Sequence, residues 1–315
     1  MNRVILSGGL GNQLFQVAAG LYFFGDEKIT LVESLGKPHG SKKNLGEMKL
    51  LNLPNSVSLE THKRRIWAKL ISKINNLQIG LFLVDSTQSR MASKLLMPLS
   101  NSLLSLYFND KSKVKYCRQI SNMQEDKETK QNVISGYFQN FEYASTPEIK
   151  IKIEEFLTIT KSEELSQLIK QAEALKPLVI QVRLGDYLRE DDFGIPGTDY
   201  YRRAINFILE KKEHRSIWIF SNDIQLAKRI LPEEFKERYT FIENLLDSPM
   251  ETLEAMRHGT SYILSNSTFG WWGAFLSHQA SPIVVTPNPW FRAGNSPTNL
   301  VPNSWTQIPV GEYFG

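Results

Sequence analysis

The chain has 315 residues, 41% of them hydrophobic and 22% charged, with a formal net charge of +4. That composition is globular and excludes a disordered or fibrous chain, and +4 is too weak a bias to argue for nucleic acid. The single cysteine, Cys117, excludes an intrachain disulfide, no Cys/His cluster is expected to offer a zinc site, and no apolar run reaches the ~18 residues that a membrane span needs.

The length exceeds one ordinary core and predicts two domains of about 150 residues each. A strand-like run begins at Val4, which leaves no room for a signal peptide, so a cytoplasmic address is expected. Arg3 to Leu6 reads as a first strand, Ser7 to Gln13 as a glycine-rich turn, and Leu14 to Phe24 as a helix with apolar residues at helical spacing. Ile29 to Val32 follows as a second strand ending at Glu33. Strand, glycine turn and helix open a βαβ unit, whose helix-start amides suit a phosphate or a sugar. Gly9 and Gly11 with a later acid also resemble a dinucleotide fingerprint, but Leu14 stands where the third glycine belongs.

Residues 62–74 interleave Lys63, Arg64, Arg65, Lys69 and Lys73 with Ile66, Trp67, Leu70, Ile71 and Ile74, with no acid. Such a basic amphipathic helix either packs on its own domain or lies on an anionic bilayer, giving a peripheral contact with the inner face of the cell membrane. Apolar clusters within Leu95 to Phe108 are expected to complete the first core. Val133 to Asn140 reads as the last strand of this half, running into an aromatic loop that either lines a sugar site or packs in the core.

The boundary is expected before the charged helical segment Glu148 to Leu157, giving domains 1–147 and 148–315. Leu178 to Val182 is a β-branched run ending in Arg183-Leu184-Gly185-Asp186. Such a run reads as a buried parallel strand, and ligands of open α/β sheets sit beyond the carboxyl ends of strands. Arg183 is therefore either a solvated strand end or a cation for an anionic ligand, with Gly185 turning the backbone beneath it. A helix follows from Asp199, its expected cap, and then a strand over Ser216 to Phe220. Asp223, just past that strand, either caps the next helix or accepts hydrogen bonds from a nucleoside. Ser261 to Leu264 is a further strand, and Ser265-Asn266-Ser267-Thr268-Phe269 leads from it into a helix whose first amides suit a diphosphate. Ile283 to Val285 precedes a Pro-rich tail expected to run over the surface or back to the first domain. No Asp-x-Asp pair occurs, so an arginine and helix-terminal amides would have to offset a diphosphate without a metal.

Five blocks in order resemble glycosyltransferase family 11, the alpha-1,2-fucosyltransferases. They are Gly8 to Gln16 (GGLGNQLFQ), Gly136-Tyr137-Phe138-Gln139, Gln181 to Tyr187, Phe220-Ser221-Asn222-Asp223, and Asn266 to Ala274. The resemblance implies an α/β GT-B fold, two Rossmann-like domains facing across a cleft, with an acceptor-side first domain and a donor-binding second domain. It implies a metal-independent, inverting transfer of L-fucose from GDP-fucose, with no cofactor, to a glycan acceptor, possibly lipid-linked, of a bacterial surface-glycan precursor. Arg183 matches the arginine that holds the β-phosphate, Asp223 an acid near the guanosine, and Ser267 and Thr268 the diphosphate turn. Asn12 matches a polar residue near the reacting centre of related protein O-fucosyltransferases. The candidate catalytic residues are thus Arg183, Asp186 and Asn12, and the candidate donor-binding residues are Gly11, Gln181, Arg183, Asp223, Asn266, Ser267, Thr268 and Phe269. Asp186 is the first candidate for the base, or else it holds the turn; Glu190 and Asp191 come next. Gln181 stands where the family has histidine and Leu184 where it has a second arginine, which keeps open another GDP-deoxyhexose such as GDP-colitose, or a glycan- or nucleotide-binding protein without turnover.

Overall fold

The computed structural model describes residues 1–33, 52–60, 70–71, 73–74, 77–78, 87–109, 111–116, 132–189, 193–243, 245, 247–293, 296–297 and 299–314. The chain divides into two compact units: Met1–Thr158 with Pro297–Leu300, and Ile159–Ser296 with Val301–Gly315. Each is built on one parallel sheet, as the GT-B expectation requires.

In the first unit the strands are β1 (Asn2–Ile5), β2 (Ile29–Val32), β3 (Val57–Glu60), β4 (Val114–Tyr116) and β5 (Val133–Ser135). Their order across the sheet is β3-β2-β1-β5-β4, and every pairing is parallel. The helix Leu10–Phe24 starts earlier than the sequence implies, because the turn is completed within Ser7 to Gly9. Gly8 sits at φ +76° and Gln13 Nε2 donates to its carbonyl over 2.9 Å. Gly20 lets this helix press on the sheet: a Cβ there would come within 2.6 Å of Val4 Cγ2. On a second cluster, Ile5, Val32, Val114 and Val133 of the sheet meet Leu104 and Tyr107 of the helix Thr87–Phe108. The same helix leaves Met91, Leu95, Leu99 and Leu106 exposed, so only part of its apolar content completes the core.

The helix Pro147–Phe156 belongs to the first unit, although the sequence places the boundary before it. Its Ile149, Ile153 and Phe156 are buried, and Phe156 O accepts from Asn52 N at 2.9 Å. A charged helix discloses its partner only through a narrow apolar stripe, and three residues do not say on which side of a boundary that partner lies.

The second unit contains β6 (Leu178–Val182), β7 (Ile217–Ser221), β8 (Tyr239–Phe241), β9 (Ser261–Leu264), β10 (Ile283–Asn288) and β11 (Thr306–Pro309). The order is β11-β10-β9-β6-β7-β8, again all parallel, so the chain runs outward from β6 to β8 and then returns to begin again at β9. Side chains alternate between two layers. Ile180, Val182, Ile219, Ile263 and Val285 join Tyr200, Ala204, Ile205 and Ile208 of the helix Thr198–Lys211. Val179, Trp218, Phe220, Tyr262, Leu264 and Val284 face Leu165, Ile169 and Ala172 of the helix Glu163–Leu175 and Met256 of the helix Pro249–Arg257. Helices on both faces explain why β6 is apolar nearly throughout rather than alternating.

Two details of this unit depart from the sequence reading. Gly197, not Asp199, occupies the cap position of its helix; Asp199 lies in the first turn and pairs with Arg203 at 2.8 Å. The tail does not merely run over the surface, because Thr306–Pro309 joins the sheet as its edge strand. Its Thr-Gln-Ile-Pro sequence lacks an apolar run, and its proline, which has no N–H for a further strand, suits an edge position.

Candidate functional site

The reversal of strand order between β6 and β9 opens a crevice position at their carboxyl ends, where an α/β sheet binds its ligand. Arg183 and Ser265 immediately follow these two strands. The Ser265 hydroxyl ties the ends together. It accepts from Arg183 N at 3.0 Å and donates to Gln181 Oε1 at 2.7 Å, while Ser265 N donates to Gln181 O at 3.0 Å. Gln181 lies on the face of β6 that meets the helix Thr268–Phe275, and Gly270 makes room for it: a Cβ there would be 2.8 Å from Gln181 Oε1. Gln181 thereby acts as a cross-brace between strand and helix.

Arg183 is half-buried, with its guanidinium carbon 5.5 Å from the centroid of the Tyr187 ring. Tyr187 stacks on Phe193 at 4.5 Å, and Phe193 in turn meets Phe291 at 5.5 Å. The turn after Arg183 is secured by Asn222, whose Oδ1 accepts from Leu184 N at 2.8 Å and whose Nδ2 donates to Leu184 O at 3.1 Å. Gly185 sits at φ +64°, and a Cβ there would lie 2.6 Å from Asn222 Nδ2, so both backbone conformation and space require glycine. Asp186 falls in the 3-10 turn Gly185–Arg189, but its side chain lies outside the described part, as do Glu190 and Asp191.

Leu184 is fully buried in the cluster that holds Val182, Ile195 and Tyr200. The departure from the second family arginine is therefore a core side chain. Asp223 caps the helix Ile224–Ile230, its Oδ1 accepting from Leu226 N at 3.0 Å. Asn266 is a tether: Nδ2 donates to the carbonyls of Phe193 and Gly194 at 2.7 and 2.9 Å, and its own carbonyl accepts from Tyr187 Oη at 3.2 Å. Ser267 holds the cap position of the helix Thr268–Phe275 without a side-chain capping bond. Thr268 and Phe269 are half-buried in the first turn, ahead of the first helical bond, from Trp271 N to Ser267 O at 3.0 Å. Behind them Trp271 and Trp272 are wholly buried, and Trp271 stacks on Phe275 at 4.5 Å, so the helix start has a rigid backing.

A comparable arrangement lies in the first unit, where strand order reverses between β1 and β5. Gln16 joins the two strand ends: its Oε1 accepts from Ser7 N at 2.9 Å, and its Nε2 donates to Ser7 Oγ and to Gly136 O, each at 2.8 Å. Gln139 Nε2 donates to Asn12 Oδ1 at 3.0 Å. Blocks more than a hundred residues apart are thus joined at two places, through Gln16 and through Asn12, with Gly11 in the same first helical turn as Asn12. Phe138 is only 2% exposed and packs near Phe23 and Tyr143, so it fills core rather than lining a site. Its positive φ of 51° places a strained residue just before Gln139, the kind of conformation that surrounding contacts must hold.

A model of the family described as "Glycosyl transferase family 11" matches residues 85–303, more than half of the chain. The chain belongs to glycosyl transferase family 11. As a family 11 glycosyltransferase it is an enzyme, and the dinucleotide reading of Gly9 and Gly11 falls away. Similar proteins include an O-antigen biosynthesis glycosyltransferase, WbnK, of Escherichia coli, 25% identical over 96% of this chain and 99% of that one. An alpha-1,2-colitosyltransferase of Escherichia coli is 26% identical over 96% of this chain and 97% of that one. Among solved structures, the fucosyltransferase NodZ from Bradyrhizobium aligns with a TM-score of 0.45 and 9% identity, covering 87% of this chain and 92% of that one.

Sequence reasoning read Ser265 only as part of the diphosphate turn and Gly270 only as a small residue that lets its helix pack on the sheet, and it gave Asn222 no part of its own. Each does its work across neighbouring strands. The signal that was available is positional, since all three stand at or just past a strand end or at a helix start beside it. Residues 62–69 and 72 of the expected membrane-facing segment lie outside the described residues. Among the described residues, no helix is long and apolar enough to cross a membrane.

Proposed function

We propose that this family 11 glycosyltransferase transfers L-fucose from GDP-fucose, with inversion and without a metal or other cofactor, to a hydroxyl of a bacterial surface-glycan precursor, O2 of a β-galactoside. The observation that carries this reading is Arg183 at the carboxyl end of β6, its amide tied through Ser265 to the strand that feeds the helix Thr268–Phe275. A guanidinium beside a turn of helix-start amides matches the charge of a leaving diphosphate. The name of the E. coli relative WbnK supports an O-antigen acceptor.

In this mechanism the acceptor oxygen attacks the anomeric carbon while the bond from that carbon to the β-phosphate oxygen breaks. The acceptor proton passes to a base, for which Asp186 remains the first proposal. Arg183 and the amides around Ser267, Thr268 and Phe269 take up the charge that develops on GDP. Asp223, whose Oδ1 caps its helix, places a carboxylate at the end of β7 for the nucleoside. Gln181 and Asn266 hold the framework of the donor site, and Gly11 and Asn12 stand in the first unit, the proposed acceptor side.

A second donor follows from the relative named as a colitosyltransferase. Incubation with GDP-fucose or GDP-colitose and β-galactoside acceptors tests both. Transfer from GDP-fucose is expected; transfer from GDP-colitose alone corrects the donor, and GDP binding with neither transfer nor hydrolysis leaves a binding protein. The peripheral membrane contact of residues 62–74 rests on their basic amphipathic pattern. Co-flotation with anionic vesicles should be lost when Lys63, Arg64 and Arg65 are replaced by Ser, and unchanged flotation would remove the proposal.

A further inference from the structure

At the amino-terminal edge of the second sheet, opposite the strand ends that carry Arg183, another group of polar side chains converges. The helix Pro249–Arg257 leads into β9, and Thr260 N donates to Pro177 O at 3.0 Å, which sets this end beside the start of β6. Here Glu254, His258 and His278 each offer one ligand atom, all within 4.8 Å of one another. Glu254 Oε1 lies 3.5 Å from His258 Nε2 and 3.5 Å from His278 Nε2. Ligands about 2.0–2.1 Å from a tetrahedral zinc ion stand roughly 3.3–3.4 Å apart, so both separations are close to those of a bound set. His258 Nε2 is closed off from solvent and has no hydrogen-bond partner among the described residues.

The surroundings make the carboxylate a monodentate ligand. Arg257 Nη1 donates to Glu254 Oε2 at 2.8 Å and leaves Oε1 toward the imidazoles. Lys161 Nζ, 3.5 Å from Oε1, is the competing cation; its side chain is 44% exposed and free to swing into water. The loop bearing His278 is itself anchored. His278 N donates to Arg257 O at 2.9 Å, Arg257 Nε to Leu276 O at 2.9 Å, and Tyr262 Oη lies 2.9 Å from Ser277 Oγ. A site whose supports are already bonded loses little freedom on taking an ion.

We propose that Glu254 Oε1, His258 Nε2 and His278 Nε2 bind a zinc ion, with water as fourth ligand, clamping the segment after the helix Thr268–Phe275 to the end of the helix Pro249–Arg257. One oxygen and two imidazole nitrogens suit zinc rather than magnesium or calcium. The position, at the far edge of the sheet from Arg183, makes it a stabilising site and leaves the proposed transfer metal-independent.

Titrating zinc chloride into chelator-stripped full-length protein, by calorimetry and thermal melting, tests this. One zinc per chain and a raised Tm are expected. His278→Ala should weaken binding at least about tenfold, since loss of even an outer supporting partner costs that much. The half-exposed position of His278 keeps that variant folded, and His278→Asp, which retains a ligand, should recover much of the affinity. Lys161→Ala should bind zinc at least as tightly as the parent. A folded parent protein that takes up no zinc, or binding unchanged in His278→Ala, overturns the proposal; neither result bears on GDP-sugar transfer, which is assayed separately.

Discussion

Replacing Arg183 with Ala is expected to lower kcat about a hundredfold or more, the cost of losing one preorganised group that stabilises charge in the transition state. In the proposed metal-independent transfer the leaving diphosphate depends on Arg183 for charge stabilisation, so the loss should appear mainly in kcat. Fold stability should hold, because the side chain is half-buried at a strand end and the Arg183 amide, not its guanidinium, makes the bond to Ser265. Arg183→Lys should recover only part of the rate, since an ammonium keeps the charge without the planar fork. Steady-state kinetics with GDP-fucose, alongside thermal melts, separate these outcomes. An Arg183→Ala enzyme with parental kcat would remove Arg183 from the mechanism.

Leu184→Arg, which restores the residue of the family pattern, should destabilise the protein rather than enhance its activity. Leu184 is fully buried among Val182, Ile195 and Tyr200, with its backbone held on both sides by Asn222. A guanidinium there would be charged, unpaired and dry, a combination that costs about 4 kcal/mol or more. For a domain of this size that corresponds to a fall in Tm on the order of 10 °C. Leu184→Met, by contrast, should stay within about 1.5 kcal/mol, because it nearly conserves volume. Melting curves and soluble yield are the readout. A Leu184→Arg protein with parental Tm and faster turnover would mean that this side chain reaches the donor, and the packing argument would fail. On the expected result, the exchange of arginine for leucine is an adjustment of the core and gives no reason to look for a different donor sugar.

These two neighbours show where one-dimensional reading stops. Arg183 and Leu184 are adjacent in the chain, yet one stands half-exposed and the other is wholly enclosed. The strand itself was legible because Leu178 to Val182 is apolar and β-branched, and a strand covered by helices on both faces must be. How the turn distributes the next two side chains was not legible, because it depends on Asn222 arriving from β7 and on the positive φ of Gly185. Likewise Gln181 read as a donor-binding residue, and its Oε1 is committed to Ser265, which follows another strand. Gln16 and Gly136 stand far apart in the chain and meet only because β1 and β5 are neighbours.

The amino-acid sequence alone determined the parallel α/β class, the two-unit plan and the family blocks, and it offered Asp223 as a helix cap. Each of these follows from local periodicity, turn chemistry or short spacing, and such signals survive in a string of letters. Only the tertiary structure decided that the helix Pro147–Phe156 joins the first unit, that Thr306–Pro309 extends the second sheet, and that Glu254, His258 and His278 converge. Those outcomes depend on strand order and on which helix face meets which layer. Both are settled by long-range burial and hydrogen bonding, whose partners lie tens or hundreds of residues away along the chain.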